Sequence, residues 1–188
     1  TGFARLREAN VDVRVGLFSH DALELNIGFV KRMTTGLPWV RCKVAASIDG
    51  RTGLSNGESQ WITGEEARQD GHRWRARACA VLTGSGTVKY DDPQMTVRGV
   101  STTLPLRQPL RIVFDHLGEV SASAKVLRGG ALIYGSNRMP QGLGPDVELV
   151  SLPDATNPGK IDLPAAFKDI AKRGVNELHV EAGARLMG

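Results

Sequence analysis

Short apolar runs recur from Trp39 onward, at Trp39 to Ala46, Ala78 to Thr83, Leu110 to Phe114, Ala131 to Tyr134, Val147 to Leu152 and Glu177 to Glu181. Their lengths and their β-branched and aromatic content read as strands, with Ala78 to Thr83 fully buried. Helical patterns stand between some of them. One starts after Thr63 and carries Ala67, Trp74 and Ala78 among many arginines; another runs from Asp162 through Phe167 and Ile170 to Arg173. Strands alternating with helices predict an α/β fold, a mainly parallel sheet with helices on both faces. At 188 residues the chain has room for one full domain and a piece of another.

Residues 1–36 read as that piece. Phe3 to Ala9 is helical, Val11 to Val15 alternates as a strand, and Asp21 caps a helix in which Leu25 and Phe29 sit at i and i+4 on the way to Met33. Thr34-Thr35-Gly36-Leu37-Pro38 breaks the pattern and marks a domain boundary. Thr63-Gly64-Glu65-Glu66 has the form of a capping box.

Composition excludes several classes. No apolar run approaches the length that spans a bilayer, so no membrane role is expected. Cys42 and Cys79 lie inside apolar runs and read as buried free thiols in a reducing compartment, the cytoplasm. His20, His72, His116 and His179 are scattered without a zinc-binding arrangement, which predicts no metal site. The net charge is +4, with basic residues gathered between Arg68 and Arg77 and not interleaved with aromatics. That distribution suits a small anionic ligand better than a nucleic acid, although a solvated helix face produces it as often.

Chemistry is expected where strands end in glycine-rich or turn-forming loops, after Ala46, Thr83 and Glu181. Such loops share one edge of a parallel sheet. The first, Ser47 to Trp61, is long, polar and without period; a surface hairpin fits the pattern equally well. Gly84-Ser85-Gly86-Thr87 offers amides and a hydroxyl to a phosphate, or is a plain glycine turn; the third glycine of a dinucleotide fingerprint is missing. Glu181-Ala182-Gly183-Ala184 repeats the design with a carboxylate at the strand end. Arg75 and Arg98 are anion clamps or surface ion pairs. Asp91-Asp92-Pro93 caps a turn or grips a ribose. Lys43, midway along its run, faces a cleft or snorkels at a sheet edge. Trp61 and Trp74 read as core or lid residues.

The segments KVAASIDGRT, NGESQWITG, RARACAVLTGSGTVKYDDPQMTVR, RQPLRIVFD and HVEAGARLMG together resemble the reductase domain of the bifunctional riboflavin-biosynthesis deaminase/reductase family. The likeness runs from about Leu37 to the end. FARLREANVDVRVGL and ALELNIGFVKRM are similar to the tail of that family's deaminase domain, whose zinc motifs are absent from this chain. The resemblance implies a dihydrofolate-reductase-like fold that continues beyond Gly188, with residues 1–36 an upstream tail and linker and 37–188 an incomplete reductase domain. It implies NADPH as cofactor, zinc only in the deaminase domain, a homodimer, and a phosphorylated pyrimidine substrate, 5-amino-6-(5-phosphoribosylamino)uracil, reduced to its ribityl form. It places Lys43 near the reacting sugar, Ser59, Arg75, Met95, Arg98 and Glu181 on the substrate, and Ala45, Trp61, Thr87, Asp91, His116 and Gly183 on the cofactor. His116 stands where the family often has a smaller hydroxyl residue. The competing readings are a dihydrofolate or pterin reductase and a non-catalytic nucleotide-binding module. Phosphate-binding arginines argue against the first, because folates carry no 5′-phosphate.

Overall fold

The computed structural model describes residues 1–55, 58–59, 61–101 and 105–187. Its frame is a sheet of six strands, all parallel: β1 (Trp39–Cys42), β2 (Ala80–Gly84), β3 (Leu110–Asp115), β4 (Ala131–Gly135), β5 (Val147–Ser151) and β6 (Glu177–Val180). They lie in the order β1-β6-β2-β3-β4-β5, so the last strand is inserted between the first two. The mainly parallel sheet expected from the sequence is found.

Side chains alternate across the sheet and build a core on each face. On one face Ala80, Leu82, Ile112, Phe114, Leu132, Tyr134 and Leu178 pack against Ala166 and Ile170 of a helix, α6 (Leu163–Lys172). Asp162 caps that helix by accepting the Ala165 amide at 2.9 Å. On the other face Val81, Val113 and Ile133 pack against Val88 of a shorter helix, α5 (Ser85–Asp91), and against Met95, Val120 and Val126. A longer helix, α4 (Glu65–Arg77), contacts β6, and a last turn, α7 (Ala184–Met187), follows β6. At about 25 cal/mol per Å² of apolar area, two such layers supply the main stabilising contribution to the domain.

Several local expectations are corrected. Val11 to Val15 forms no strand: Val11 and Val15 are 48% and 65% exposed, and an unpaired strand has no ladder to hold it. The expected helix from Asp21 to Met33 is two helices, α2 (Ser19–Leu25) and α3 (Ile27–Thr35), after a first helix α1 (Gly2–Glu8). They part at Asn26, whose side chain donates to the Ala22 carbonyl at 2.9 Å and competes with the helix backbone. Asp21 sits within the first turn of α2 and does not cap it. The Thr63 capping box does not form; Gly64 is the N-cap of α4, and the Thr63 carbonyl instead accepts Arg68 Nη1 at 2.7 Å. The first strand ends at Cys42, so Lys43, expected midway along it, lies one residue past its end, and the cation within the strand is Arg41, stacked 4.1 Å from the Trp74 ring. Cys42 is exposed, because β1 is an edge strand, and Cys79, just before β2, is only half-buried.

Helix α3 docks on the start of β6. Gly28 is buried there, and a Cβ at that position would lie 2.8 Å from the Asn176 carbonyl oxygen; Arg32 Nε donates to the Asn176 side chain at 2.6 Å.

Candidate functional site

The three loops singled out in the sequence leave three neighbouring strands, β1, β6 and β2, at their carboxyl ends. Two ladder bonds carry the register one step past the strands: Lys43 N donates to the Val180 carbonyl, and Glu181 N to the Leu82 carbonyl, both at 2.9 Å. Lys43, Glu181 and Thr83 therefore form a row on one face, next to Gly84, where α5 begins. The chain crosses at this point from β1 over β6 to β2, and in open parallel sheets such a crossing creates a crevice at the carboxyl edge.

Helix α4 lies over the row and delivers Arg75. Its Nε donates to Glu181 Oε1, its Nη2 to Oε2 at 2.8 Å, and its Nη1 to the Thr96 carbonyl at 3.0 Å. Both side chains are mostly buried, at 15% and 13% exposure. Burial alone would raise the Glu181 pKa. The Arg75 hydrogen bonds, with a contribution from His179, outweigh it and hold the carboxyl well below the usual carboxylate range. The first commitment of the Arg75 fork is thus to a carboxylate of the chain itself.

Two polar side chains beside this pair lack a hydrogen-bond partner among the described residues. His179 is 1% exposed; its Nε2 lies 3.3 Å from Glu181 Oε1 but outside hydrogen-bonding geometry, and Nδ1 has no partner. Thr83 Oγ1 is buried without one as well. Buried polar atoms left over in this way are uncommon and mark sites as often as they mark strain.

The segment Gln94 to Gly99 closes the other side of α4. Met95 takes a left-handed backbone, φ 54°, while its side chain is 2% exposed inside the second core, so only its backbone can face a ligand. Left-handed backbone costs a non-glycine residue of order 1–3 kcal/mol and collects at functional loops. The segment is held by side chains. Gln108 bridges the Val97 amide and carbonyl at 2.8 and 3.1 Å, Gln69 donates to the Gly99 carbonyl, and the Arg98 amide donates to His72 Nδ1 at 3.2 Å. Arg98 is exposed, its guanidinium on Gln94 at 3.1 Å and Thr96 Oγ1 at 2.9 Å.

The remaining predicted residues divide. Thr87 lies half-buried in the first turn of α5, Asp91 ends that helix exposed, and His116 follows β3 with its carbonyl accepting Ser136 Oγ at 2.7 Å. Asp92, with φ 40°, is a brace: it accepts the Lys125 amide at 2.8 Å and pairs with Lys125 Nζ at 3.2 Å. Ala45 is half-buried and Gly183 exposed beyond the strand ends. A Cβ at Gly86 or Gly183 would meet nothing within 4 Å, so neither position is crowded by the rest of the chain. Ser59 and Trp61 stand apart, both exposed; Trp61 carries Arg68 stacked 4.5 Å over its ring. Gln60, between them, lies outside the described residues. An apolar cavity of about 590 Å³ between Trp39, Val40, Pro164 and Phe167 borders β1 and α6, away from the strand-end row.

Sequence reasoning missed Gln69, His72, Thr96 and Gln108, because nothing in their spacing links α4 to a loop some 25 residues later; the lone signal was left-handed strain, visible only in three dimensions. Among the described residues no His, Cys, Asp or Glu group could hold a metal ion, and no helix is long and apolar enough to cross a membrane.

Residues 38–188 match the family model described as "RibD C-terminal domain". The whole chain is 37% identical over 198 aligned residues to the riboflavin biosynthesis protein RibD of Escherichia coli K12, of which it covers 53%. It thus spans about half the length of the curated relatives it matches. A solved structure of RibD from Acinetobacter baumannii superposes with a TM-score of 0.86 at 36% identity, over 98% of this chain and 51% of that one. A Thermotoga maritima diaminohydroxyphosphoribosylaminopyrimidine deaminase/5-amino-6-(5-phosphoribosylamino)uracil reductase gives 0.85 at 26% identity, over 100% and 51%. The yeast riboflavin biosynthesis reductase Rib7, at 18% identity and a TM-score of 0.64, shares the fold. The dihydrofolate-reductase-like class expected from the sequence stands.

Proposed function

Because the chain belongs to the RibD C-terminal domain family, we propose that it performs the reductase step of riboflavin biosynthesis: NADPH-dependent conversion of 5-amino-6-(5-phosphoribosylamino)uracil to 5-amino-6-(5-phosphoribitylamino)uracil. The observation that carries the reading is the row of Lys43, Glu181 and Thr83 at the crossover edge, with open glycine backbone beside it. NADPH supplies a hydride when bound, and the glycines at 84, 86 and 183 with Thr87 and Asp91 would hold it.

The protein's own residues do the rest. Glu181, kept ionised by Arg75, accepts hydrogen bonds from sugar hydroxyls and fixes which carbon faces the cofactor. Arg98, exposed at the rim, supplies a charge-assisted contact to the 5′-phosphate, and the Met95 backbone lines the wall between them. Lys43 gives a proton to the ring oxygen as the sugar opens, so the reduced carbon ends in a linear polyol. In this reading residues 1–36 belong to an upstream deaminase domain and two copies of the protein associate.

Loss of NADPH absorbance with the phosphorylated pyrimidine, using the full-length protein, is the test. Turnover of dihydrofolate in its place, or cofactor binding without turnover, overturns the reading. Lys43→Met should fold and bind NADPH as the wild type does while losing most of its turnover; full turnover would remove Lys43 from the chemistry.

A further inference from the structure

The strap from Gln94 to Gly99 carries Arg98, yet little apolar packing holds the Arg98 end of it. Met95 and Val97 are buried, at 2% and 3% exposure, whereas Arg98 and Gly99 are exposed. Gln108 on Val97 and Arg75 on the Thr96 carbonyl anchor the strap up to Val97; beyond it, Arg98 and Gly99 are held by a pair of hydrogen bonds to side chains one turn apart on α4: Gln69 to the Gly99 carbonyl, and the Arg98 amide to His72 Nδ1 at 3.2 Å. Gln69 cannot titrate. His72 can, and its tether has a polarity: Nδ1 accepts, so it must carry a lone pair. A proton there would set an N–H against the Arg98 N–H.

We propose that His72 is the positioning residue for Arg98, and that its protonation releases the Arg98 end of the strap and weakens binding of the substrate's anionic group in acid. The proposal rests on the substrate-binding role given to Arg98 above.

The surroundings favour the neutral ring. Burial is the largest influence, followed by the positive charges of Arg75, on the same helix, and of Arg98 itself; together they push the His72 pKa down, while Glu181 and a backbone hydrogen bond at Thr96 oppose them. The sign follows. Because the tether needs the Nδ1 lone pair, the released strap, which leaves Nδ1 free, lets His72 bind a proton more tightly than the held one does. The tether is therefore intact above the ordinary histidine pKa, about 6.5, and is lost as pH falls below the depressed value.

Two variants separate positioning from simple packing. Asparagine places its Oδ1 where His72 Nδ1 stands and does not titrate; leucine fills similar space and accepts nothing. With the full-length protein, KM for the phosphorylated pyrimidine should rise about tenfold in the wild type from about pH 7.5 to about pH 5.5, with kcat and the KM for NADPH moving far less. His72→Asn should keep the neutral-pH KM and flatten that rise. His72→Leu should show the raised KM at every pH. Hydrogen exchange of residues 94–99 gives a readout that needs no turnover: at acid pH the wild type should exchange faster there than His72→Asn, and at neutral pH the two should agree. Identical exchange and identical KM profiles in wild type and His72→Asn would overturn the proposal. So would a wild-type KM in His72→Leu. Should the wild type not reduce the pyrimidine at all, the functional reading falls, and the exchange comparison alone decides whether His72 holds the strap.

Discussion

The two ends of the sheet use the same chemistry to different effect. At the amino edge several arginine forks are engaged by the chain, although the buried Arg111 Nε has no partner among the described residues. Arg111 donates to the carbonyls of Arg128, Gly129 and Gly130 at 2.6 to 2.9 Å. Arg173 holds both Glu148 and Asp169, and Asp169 in turn accepts the Tyr134 hydroxyl at 2.7 Å. Arg77 and Arg41 share Glu177. At the carboxyl edge a similar fork, Arg75 on Glu181, sits beside the unpartnered His179 and Thr83, two left-handed non-glycine residues at Asp92 and Met95, and an exposed Arg98. Arginine pairing alone does not separate a brace from a site. What separates them is how much is left over once the pairing is complete: one guanidinium nitrogen, Arg111 Nε, at the amino edge, against the His179 ring, the Thr83 hydroxyl and two left-handed residues at the carboxyl edge.

The largest expected effect is at the pair common to both descriptions. Arg75→Met strips a mostly buried carboxylate of its main partner, and breaking such a pair costs about 3–5 kcal/mol. Denaturant unfolding should show that loss, together with a strap freed at Thr96. Acid should reach the same pair in the wild type. Because the Glu181 carboxyl is held below its ordinary range, its stabilisation is complete above the unfolded value, about 4.3, and fades as pH falls toward the folded one. Glu181→Gln should remove that part of the acid transition. If Arg75→Met costs less than about 1 kcal/mol, the carboxyl edge is as loosely built as a surface ion pair.

Arg98→Ala comes next and leaves the fold alone. Its guanidinium is exposed and, among the described residues, its hydrogen bonds to Gln94 and Thr96 stay within its own segment, so thermal melting should barely change. Substrate affinity should fall by about 1.5–3 kcal/mol, the value of a charge-assisted contact, with NADPH affinity kept. A variant that loses NADPH and keeps the pyrimidine would move Arg98 to the other ligand.

The contrast between the edges also explains how much could be read from the sequence. The strands from Leu110 to Phe114 and Ala131 to Tyr134 were legible because burial on the inner strands imposes a composition, Val147 to Leu152, a mostly exposed edge strand, was legible from its β-branched and aliphatic run, and the glycines after Thr83 and Glu181 were legible as strand ends. Residues 1–36 misled. Val11 to Val15 alternates correctly but has no neighbouring strand, and period alone cannot supply one. Asn26 divides a continuous apolar stripe through one local hydrogen bond. Thr63 fits a capping motif but yields to Gly64. Of the site, Glu181 and the open glycines followed from position at strand ends and Lys43 from being a charge within an apolar run, whereas the Arg75–Glu181 pair joins residues 106 apart in sequence and required the fold.

At the amino edge, Tyr134→Phe tests a filled network. The ring is fully buried and its hydroxyl donates to Asp169, so removing one partner should cost about 0.5–1.5 kcal/mol, read from the denaturant midpoint at unchanged m-value.

The smallest effect, and the one that sharpens the comparison most, is expected at Thr83. Its hydroxyl is fully buried on the inner face of β2, in the row of Lys43 and Glu181, with no partner for Oγ1 among the described residues. A buried hydroxyl without a hydrogen bond has lost its hydration and gained nothing in exchange. Thr83→Val keeps the β-branched shape the strand prefers and exchanges the hydroxyl for a methyl group, so the fold should be unchanged or slightly more stable. The amino-edge substitution, chemically as conservative, should destabilise. Opposite signs for two hydroxyl deletions in one sheet would show that a buried hydroxyl is used at one end and held in reserve at the other. If the Thr83 hydroxyl is held for a ligand, Thr83→Val should also raise the KM of whichever ligand reaches that row while melting no lower than the wild type. A loss of stability matching that of Tyr134→Phe would mean that Oγ1 is satisfied in the free protein, and the distinction between the edges would then rest on Met95 and His179 alone.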